Sequence, residues 1–334
     1  MKILVDVPVH EASLERLPTR GIRVELVEPR EEVRPLPVEL LRDVRILYCT
    51  FPPENFGDLG NLEWIQITSA GYAQLSGLGL VGRGIRATNA RGCFDVPVAE
   101  WNIAMMVNLA RNLRGMIRNQ ELRVWDRAAE FQREIRGLTV GIWGYGGIGR
   151  ETARLAHNLG MRVHVLARRG VGLAGEVYAV PATGDPDGVL PNRVYLAGQE
   201  REFLSRLDFL ILALPLTKST AGLVGEEELR ALPKTAFVLN PARGPLIRED
   251  ALLKALGEGW IAGAALDTHY QYPLPAEHPL WGFGNVILTP HISGSSLSPR
   301  YRERIWDIFV QNVDRFLDGR PLLNELGPGQ LSDA

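Results

Sequence analysis

The stretch TVGIWGYGGIGRETARLAHNLG, residues 139–160, constrains the fold more than any other part of the chain. A short apolar run, suited to a buried strand, meets glycines at 144, 146 and 149 and then an amphipathic segment. In this Gly-x-Gly-x-x-Gly spacing the first glycine permits a tight turn. The second lets the backbone approach a pyrophosphate, and the third lets the helix pack closely on the strand. The N-terminus of the following helix offers N–H groups and a partial positive charge to phosphates. The stretch therefore predicts a dinucleotide fold, with Gly144, Tyr145, Gly146, Gly147, Ile148 and Gly149 forming the phosphate-binding turn.

A second apolar strand, RVHVLA (residues 162–167), follows at the expected distance. An acid at its end would hydrogen-bond the adenosine ribose 2′-OH of NAD. Here Ala167 is followed by Arg168 and Arg169. A carboxylate repels a 2′-phosphate, whereas guanidinium groups bind one through charge-assisted forks. At ~1.5–3 kcal/mol each, such bonds give a ten- to hundredfold preference. NADP(H) is accordingly expected to be favoured over NAD(H). Two solvated arginines beside an NAD site remain the plainer alternative.

At 334 residues and 46% apolar content, the chain can bury a sizeable core and is long enough for two domains. Its 37 basic and 39 acidic side chains nearly balance, so charge supplies no pull toward nucleic acid or an anionic membrane. The opening MKILVDVPVH is broken by Asp6 and does not read as a secretory signal. No apolar run approaches the ~18 residues of a membrane span. Cys49 and Cys93 are the two cysteines, without CxxC spacing, which argues against a disulfide framework or a zinc site. A cytoplasmic setting, with no metal, nucleic-acid or membrane partner, is the expectation.

Short apolar runs recur along the chain: KILVDV, RVELVE, VRILYCT and LEWIQITSAG early, then LTVGIWG, RVHVLA, FLILALP, TAFVLN, AGAALDT and NVILTP. Spaced by helix-length segments, they read as parallel strands buried on both faces. Two series imply an α/β protein of two Rossmann-like or flavodoxin-like parallel-sheet domains with a cleft between them. Residues 98–120 read as one helix, greasy nearly all round from Trp101 to Ala110 and hence buried on more than one side. It is expected to serve as a core helix and as the interface of a homodimer. Residues 170–200, rich in glycine and proline, read as a surface connection with one short strand near Val194. The polar tail after Leu322 is expected to fray.

Later strands run into VLNPARGP, ALDTHYQYP and ILTPHISG. In open α/β sheets ligands sit at the carboxyl ends of the strands, which places Arg243, Asp267 and His291 toward one crevice. Hydride transfer to a ketone needs a cation to polarise the carbonyl and an acid to protonate the alkoxide. Arginine is permanently charged and histidine changes protonation near neutral pH.

With these residues in view, the chain resembles the D-isomer-specific 2-hydroxyacid dehydrogenases over nearly its whole length. The likeness rests on ITSAGY, TNARGCFDVPVAEWNIAMMVNLARNL, GLTVGIWGYGGIGRETAR, LPLTKSTAGLV, LNPARGPLIREDAL, GAALDTHYQYPLPAEHPLW and NVILTPHISG. The resemblance implies that Arg243 binds the substrate carboxylate and carbonyl and that His291 is the acid/base. It implies that Asp267 orients the nicotinamide carboxamide, and that backbone N–H groups around Ala70 and Gly71 hold the carboxylate. Leu214, Pro215, Thr220, Pro241 and Ala242 would line the cofactor. A discontinuous substrate domain, residues 1–100 and 293–334, would flank a dinucleotide domain of residues 101–292.

The likeness breaks at one place. The family usually carries a glutamate immediately before Pro-Leu, paired with the histidine; Tyr272 stands there. A neutral phenol stabilises imidazolium less than a carboxylate does. His269 or Glu277 are candidate substitutes, although His269 and His278 read first as structural. Tyr72, Phe51, Tyr270 and Trp281 are candidate pocket walls. The resemblance as a whole implies an NADP-dependent oxidoreductase that interconverts a small 2-keto acid of the glyoxylate or hydroxypyruvate type and its D-2-hydroxy acid. Two alternatives stand beside it. A formate dehydrogenase-like enzyme shares the missing glutamate and the PHxSG pattern, but Phe94 replaces the asparagine that group uses. A non-catalytic dinucleotide-sensing binding protein is the other, opposed by the presence of both Arg243 and His291.

Overall fold

All named strands pair in parallel, and they divide between two sheets. The computed structural model describes residues 1–17, 21–30, 32–128 and 132–332. The chain forms two compact units: Met1–Phe94 with Gly175–Val180 and Ser296–Ala334, and Asp95–Ala174 with Pro181–Ser295.

The first unit is built on β1 (Lys2–Asp6), β2 (Arg23–Leu26), β3 (Val44–Cys49), β4 (Trp64–Ile67) and β5 (Arg86–Thr88). Their order, β2-β1-β3-β4-β5, is that of a flavodoxin-like sheet. β1, β3 and β4 are almost wholly buried, as their continuous apolar runs require. β2 differs from expectation: it is an edge strand with Arg23 and Leu26 exposed. β5 has no run of large apolar residues and escaped the sequence reading.

The helix Pro299–Leu317 covers one face of this sheet. Ser298 caps it by accepting the N–H of Tyr301, and proline occupies its first turn, where a missing N–H costs nothing. Its inward stripe brings Phe309 onto Tyr48, with ring centroids 4.1 Å apart, while the Tyr48 hydroxyl donates to the Ile305 carbonyl. The tail does not fray as expected. Leu322, Leu323 and Leu326 are buried, Asn312 holds Leu323 through hydrogen bonds in both directions, and Arg86 pairs with Glu325 at 2.7 Å. Residues 333 and 334 lie outside the described residues.

Residues 170–200 are likewise more than a surface connection. Tyr178 is buried in the first unit, its carbonyl so close to Gly92 that a Cβ there would collide with it. Glu176 pairs with Arg315 at 2.5 Å. The short strand near Val194 is present as β8.

The second unit carries β6 (Thr139–Trp143), β7 (Arg162–Ala167), β8 (Arg193–Leu196), β9 (Phe209–Leu212), β10 (Phe237–Asn240), β11 (Gly263–Leu266) and β12 (Val286–Leu288). Their order is β12-β11-β10-β9-β6-β7-β8, so the chain reverses direction across the sheet between β6 and β9. The helices Asp95–Ala110 and Gly147–Asn158 pack together on one face, joined by a buried hydrogen bond of 3.0 Å from Asn102 to Thr152. The single helix expected over 98–120 is two. Asn112, in the left-handed region at φ 46°, separates Asp95–Ala110 from Leu113–Glu121. The first is not buried all round, because Ala104 and Val107 face outward. Asparagine tolerates that conformation, and apolar periodicity alone does not reveal the break.

Candidate active site

The reversal between β6 and β9 is the switch point at which open α/β sheets bind ligands. The glycine turn lies there. Gly144 has φ +100°, and a Cβ on it would strike the Ala213 carbonyl and the Leu214 side chain at the end of β9. A Cβ on Gly149 would strike the Gly144 carbonyl, so the helix sits directly on the turn. Gly146 meets nothing within 4 Å, leaving the backbone open to a ligand. A tight turn, an open cradle and a helix N-terminus together fit a dinucleotide pyrophosphate. Gly147 and Ile148 form the first helical turn.

Tyr145 turns its hydroxyl away to donate to Asp185 at 2.6 Å, and Arg150 lies over its ring at 5.0 Å. Burial, and then Asp185, push the phenol far above its usual range. Burial works to raise Asp185, but Tyr145 and the N–H groups of Leu190 and Val189 outweigh it and hold the acid below the ordinary carboxylate value. This buried aspartate ties the segment after β7 to the glycine turn. Arg168 and Arg169, at the end of β7, are exposed, and neither guanidinium has a hydrogen bond or ion pair among the described residues.

The loops after β9 to β12 form the rest of the edge. Leu214 packs against the core, and Thr220 closes the loop after it by donating to the Pro215 carbonyl at 2.7 Å. Buried Asn240 accepts from the N–H groups of Ala242 and Arg243 and donates to the Arg243 carbonyl at 2.8 Å, which fixes Pro241, Ala242 and Arg243 in one turn. Sequence reasoning passed over Asn240; its signal was an asparagine closing a strand just before a proline. The Arg243 side chain is exposed and touches its own neighbour, donating to the Ala242 carbonyl at 2.7 Å.

Asp267, fully buried, accepts from the Thr289 hydroxyl at 2.6 Å and from the N–H groups of Ile292 and Ser293 at 2.9 and 3.0 Å. One carboxylate thus grips the loop on both sides of His291, a task that sequence reading did not foresee. His291 itself sits at φ 57°, a conformation costly for a residue with a Cβ and maintained by that grip. Arg243, Asp267 and His291 come together because β10, β11 and β12 are adjacent in the sheet.

No carboxylate hydrogen-bonds the His291 ring among the described residues. The Tyr272 ring stands 5.6 Å from it, but the Tyr272 hydroxyl accepts from the His269 backbone N–H at 3.2 Å. His269 is buried and donates Nε2–H to the Thr289 carbonyl at 2.8 Å, so it buttresses the loop and leaves Nδ1 without a partner. Burial, and then the Arg243 cation, lower the His291 pKa against a weaker opposing pull from Asp267. At neutral pH the free imidazole is neutral. His278 is a turn residue: it accepts from the Leu280 N–H and meets Glu249 at 2.6 Å. Of the proposed pocket walls, Tyr270 is bound to the Ile247 carbonyl, Trp281 is bound to the Pro275 carbonyl, and Tyr72 packs on the core of the first unit.

Within the first unit, the loop of Ala70 and Gly71 is rigidly framed. Ser69 donates to the Gly71 carbonyl and Asn89 to the Ala70 carbonyl, both at 2.7 Å, and Gln74 supports Ser69. The N–H groups of Ala70 and Gly71 meet no acceptor among the described residues. Among those residues, no group of three or more His, Cys, Asp or Glu side chains is gathered that could hold a metal ion.

A Rossmann-order sheet with an open glycine cradle at its switch point, and an arginine and a histidine beyond adjacent strands, defines a dinucleotide-dependent oxidoreductase. Residues 103–293 match the model of the D-isomer-specific 2-hydroxyacid dehydrogenase NAD-binding domain. A glyoxylate reductase of Thermofilum pendens is 32% identical over 292 residues, covering 84% of this chain and 81% of the relative. A hydroxypyruvate reductase of Blautia hydrogenotrophica is 29% identical, covering 85% and 86%. A solved D-isomer-specific 2-hydroxyacid dehydrogenase family protein from Aeromonas salmonicida is 28% identical with a TM-score of 0.76, covering 98% of both chains. The chain belongs to the D-isomer-specific 2-hydroxyacid dehydrogenase family.

Proposed function

We propose that this enzyme is an NADP(H)-dependent reductase of small 2-keto acids, with glyoxylate or hydroxypyruvate as substrate and the D-2-hydroxy acid as product. The observation that carries the reading is the pairing of a solvent-facing Arg243 with a loop-held His291 beyond neighbouring strands. The glyoxylate and hydroxypyruvate reductases among its relatives support the substrate class. The two exposed guanidiniums after β7, without an anionic partner among the described residues, support NADP(H), because a 2′-phosphate would supply one.

When bound, the nicotinamide supplies the hydride that reaches the keto carbon. Arg243 binds the substrate carboxylate and polarises the carbonyl, stabilising charge as it develops on oxygen. His291, as imidazolium, gives its proton to that oxygen, and in the reverse direction takes it back. Within the first unit, the N–H groups of Ala70 and Gly71 are available to bind a carboxylate. Asp267 acts through the loop, keeping His291 in its unusual backbone conformation while Asn240 keeps Arg243 in its turn. Leu214, Pro215, Thr220, Pro241 and Ala242 form the wall along the cofactor.

A homodimer fits the exposed apolar row Leu113, Met116, Ile117, Leu122, Val124 and Trp125, the last 90% exposed. Residues 113, 116 and 117 share one helix face, and a second copy would cover them. A cytoplasmic setting fits Cys49 and Cys93, both buried and neither in a disulfide. No helix among the described residues is long and apolar enough to cross a membrane.

Steady-state assays of glyoxylate, hydroxypyruvate, pyruvate, phenylpyruvate and formate with each nicotinamide cofactor test the reading. Turnover of glyoxylate or hydroxypyruvate with NADPH is expected. Formate-dependent cofactor reduction without keto-acid activity would replace the proposal, and so would dinucleotide binding without turnover of any keto acid.

A further inference from the structure

Four glycines stand in the turn GYGGIG, but the dinucleotide spacing uses 144, 146 and 149 and leaves Gly147 unexplained. The structure supplies a reason. A Cβ on Gly147 would run into the carboxylate of Asp95, meeting both of its oxygens. Asp95 is the first residue of the helix Asp95–Ala110, and Gly147 is the first residue of the helix Gly147–Asn158. Further along the same pair, Asn102 bonds Thr152. The two helices therefore run side by side in the same direction, and their N-termini share one end.

That end has a particular electrostatic character. Each helix leaves its first N–H groups without an intrahelical acceptor and carries a partial positive charge there. Two such ends together favour an anion. The anion that the chain itself provides is the half-buried Asp95 side chain, set against the backbone of the very turn that receives the cofactor pyrophosphate.

We propose that Asp95 is an affinity-setting residue: an internal carboxylate that opposes the dinucleotide phosphates at the glycine turn and keeps cofactor binding weak and release fast. The inference rests on the dinucleotide occupying that turn. It assigns Gly147 its purpose, since a side chain there would displace Asp95. It also gives the turn an attractive and a repulsive element: Arg168 and Arg169 draw the adenosine end, while Asp95 weakens the grip on the pyrophosphate. A fixed charge a few ångströms from a phosphate, at a partly exposed site and ordinary salt, changes affinity by roughly tenfold.

The test compares wild type with D95N and D95S by titrating NADPH against the full-length protein and by melting the apo protein. Both variants should bind NADPH about tenfold more tightly, with dissociation slowed in stopped flow, while the apo melting temperature falls because an acid is lost from a helix N-terminus. A merely structural role would weaken binding and stability together. NADPH binding that is equal or weaker in both variants, with wild-type binding intact, overturns the inference and leaves the dinucleotide reading standing. A wild-type chain that binds neither NADPH nor NADH overturns both.

Discussion

The ring of Tyr272 faces that of His291 at 5.6 Å, yet its hydroxyl is turned to the backbone of His269 rather than to the imidazole. The histidine is therefore flanked by an aromatic wall where a charged partner would stabilise its cationic form. Burial and Arg243 both favour the neutral ring. Reduction consumes the imidazolium, so the population that can donate a proton shrinks as pH rises through a pKa below the usual histidine value. The rate of keto-acid reduction should accordingly fall as pH rises, with the fall centred below pH ~6.5. Tyr272→Glu should favour imidazolium and move that decline upward by about a pH unit or more. Profiles of kcat/KM against pH, which report the free enzyme, decide it for the two proteins; superimposable curves would refute the assignment.

Arg168 and Arg169 have no side-chain hydrogen bond or ion pair among the described residues, so removing them should disturb little in the free protein. The double Arg→Ala variant should raise KM for NADPH by roughly ten- to hundredfold and leave KM for NADH nearly unchanged. Equal loss with both cofactors would show that the arginines do not read the 2′-phosphate.

Asp267 receives one hydroxyl and two backbone N–H groups in a fully buried position. Asp267→Asn turns an amide NH₂ toward some of these donors and leaves them unsatisfied. A stability loss of about 2–4 kcal/mol is expected from denaturant unfolding. A fall in kcat of a hundredfold or more should accompany it, because His291 loses its fixed backbone. A stable variant with full activity would show that the loop needs no such grip.

Trp125, 90% exposed, is the most exposed of the apolar side chains that follow the Asn112 break. If a second copy covers this row, Trp125→Ala removes about 2–3 kcal/mol of apolar burial and raises the dimer dissociation constant by roughly thirty- to hundredfold. Sedimentation over a dilution series measures it. A monomeric wild type at micromolar concentration would end the dimer proposal.

Much of the architecture was legible in the order of residues. The inner strands β6, β9, β10 and β11 of the glycine-turn sheet announced themselves as short apolar runs because both faces are covered, so nearly every side chain had to be apolar. Edge and short strands were harder: β2 is exposed at both ends and only half-buried between, and β5 is three residues long. The helix break at Asn112 was invisible because a positive φ at one asparagine leaves the apolar periodicity on either side intact. The buried tail was mistaken for a fraying one because its few leucines are separated by polar residues. What orders it is Asn312, on the helix just before it, and Arg86, far away in sequence.

Composition, period and spacing by themselves determined the parallel α/β class, the phosphate-binding turn and the residue types needed for carbonyl reduction. These depend on local steric rules and on patterns that repeat within a few residues. Only the tertiary structure decided that Asp267 grips the loop of His291, that Asn240 shapes the turn of Arg243, and that Asp95 lies against Gly147. Each of the three is a contact between a side chain and a specific loop or turn, and hydrogen-bond geometry and close approach exist only once the strands and helices have been brought side by side.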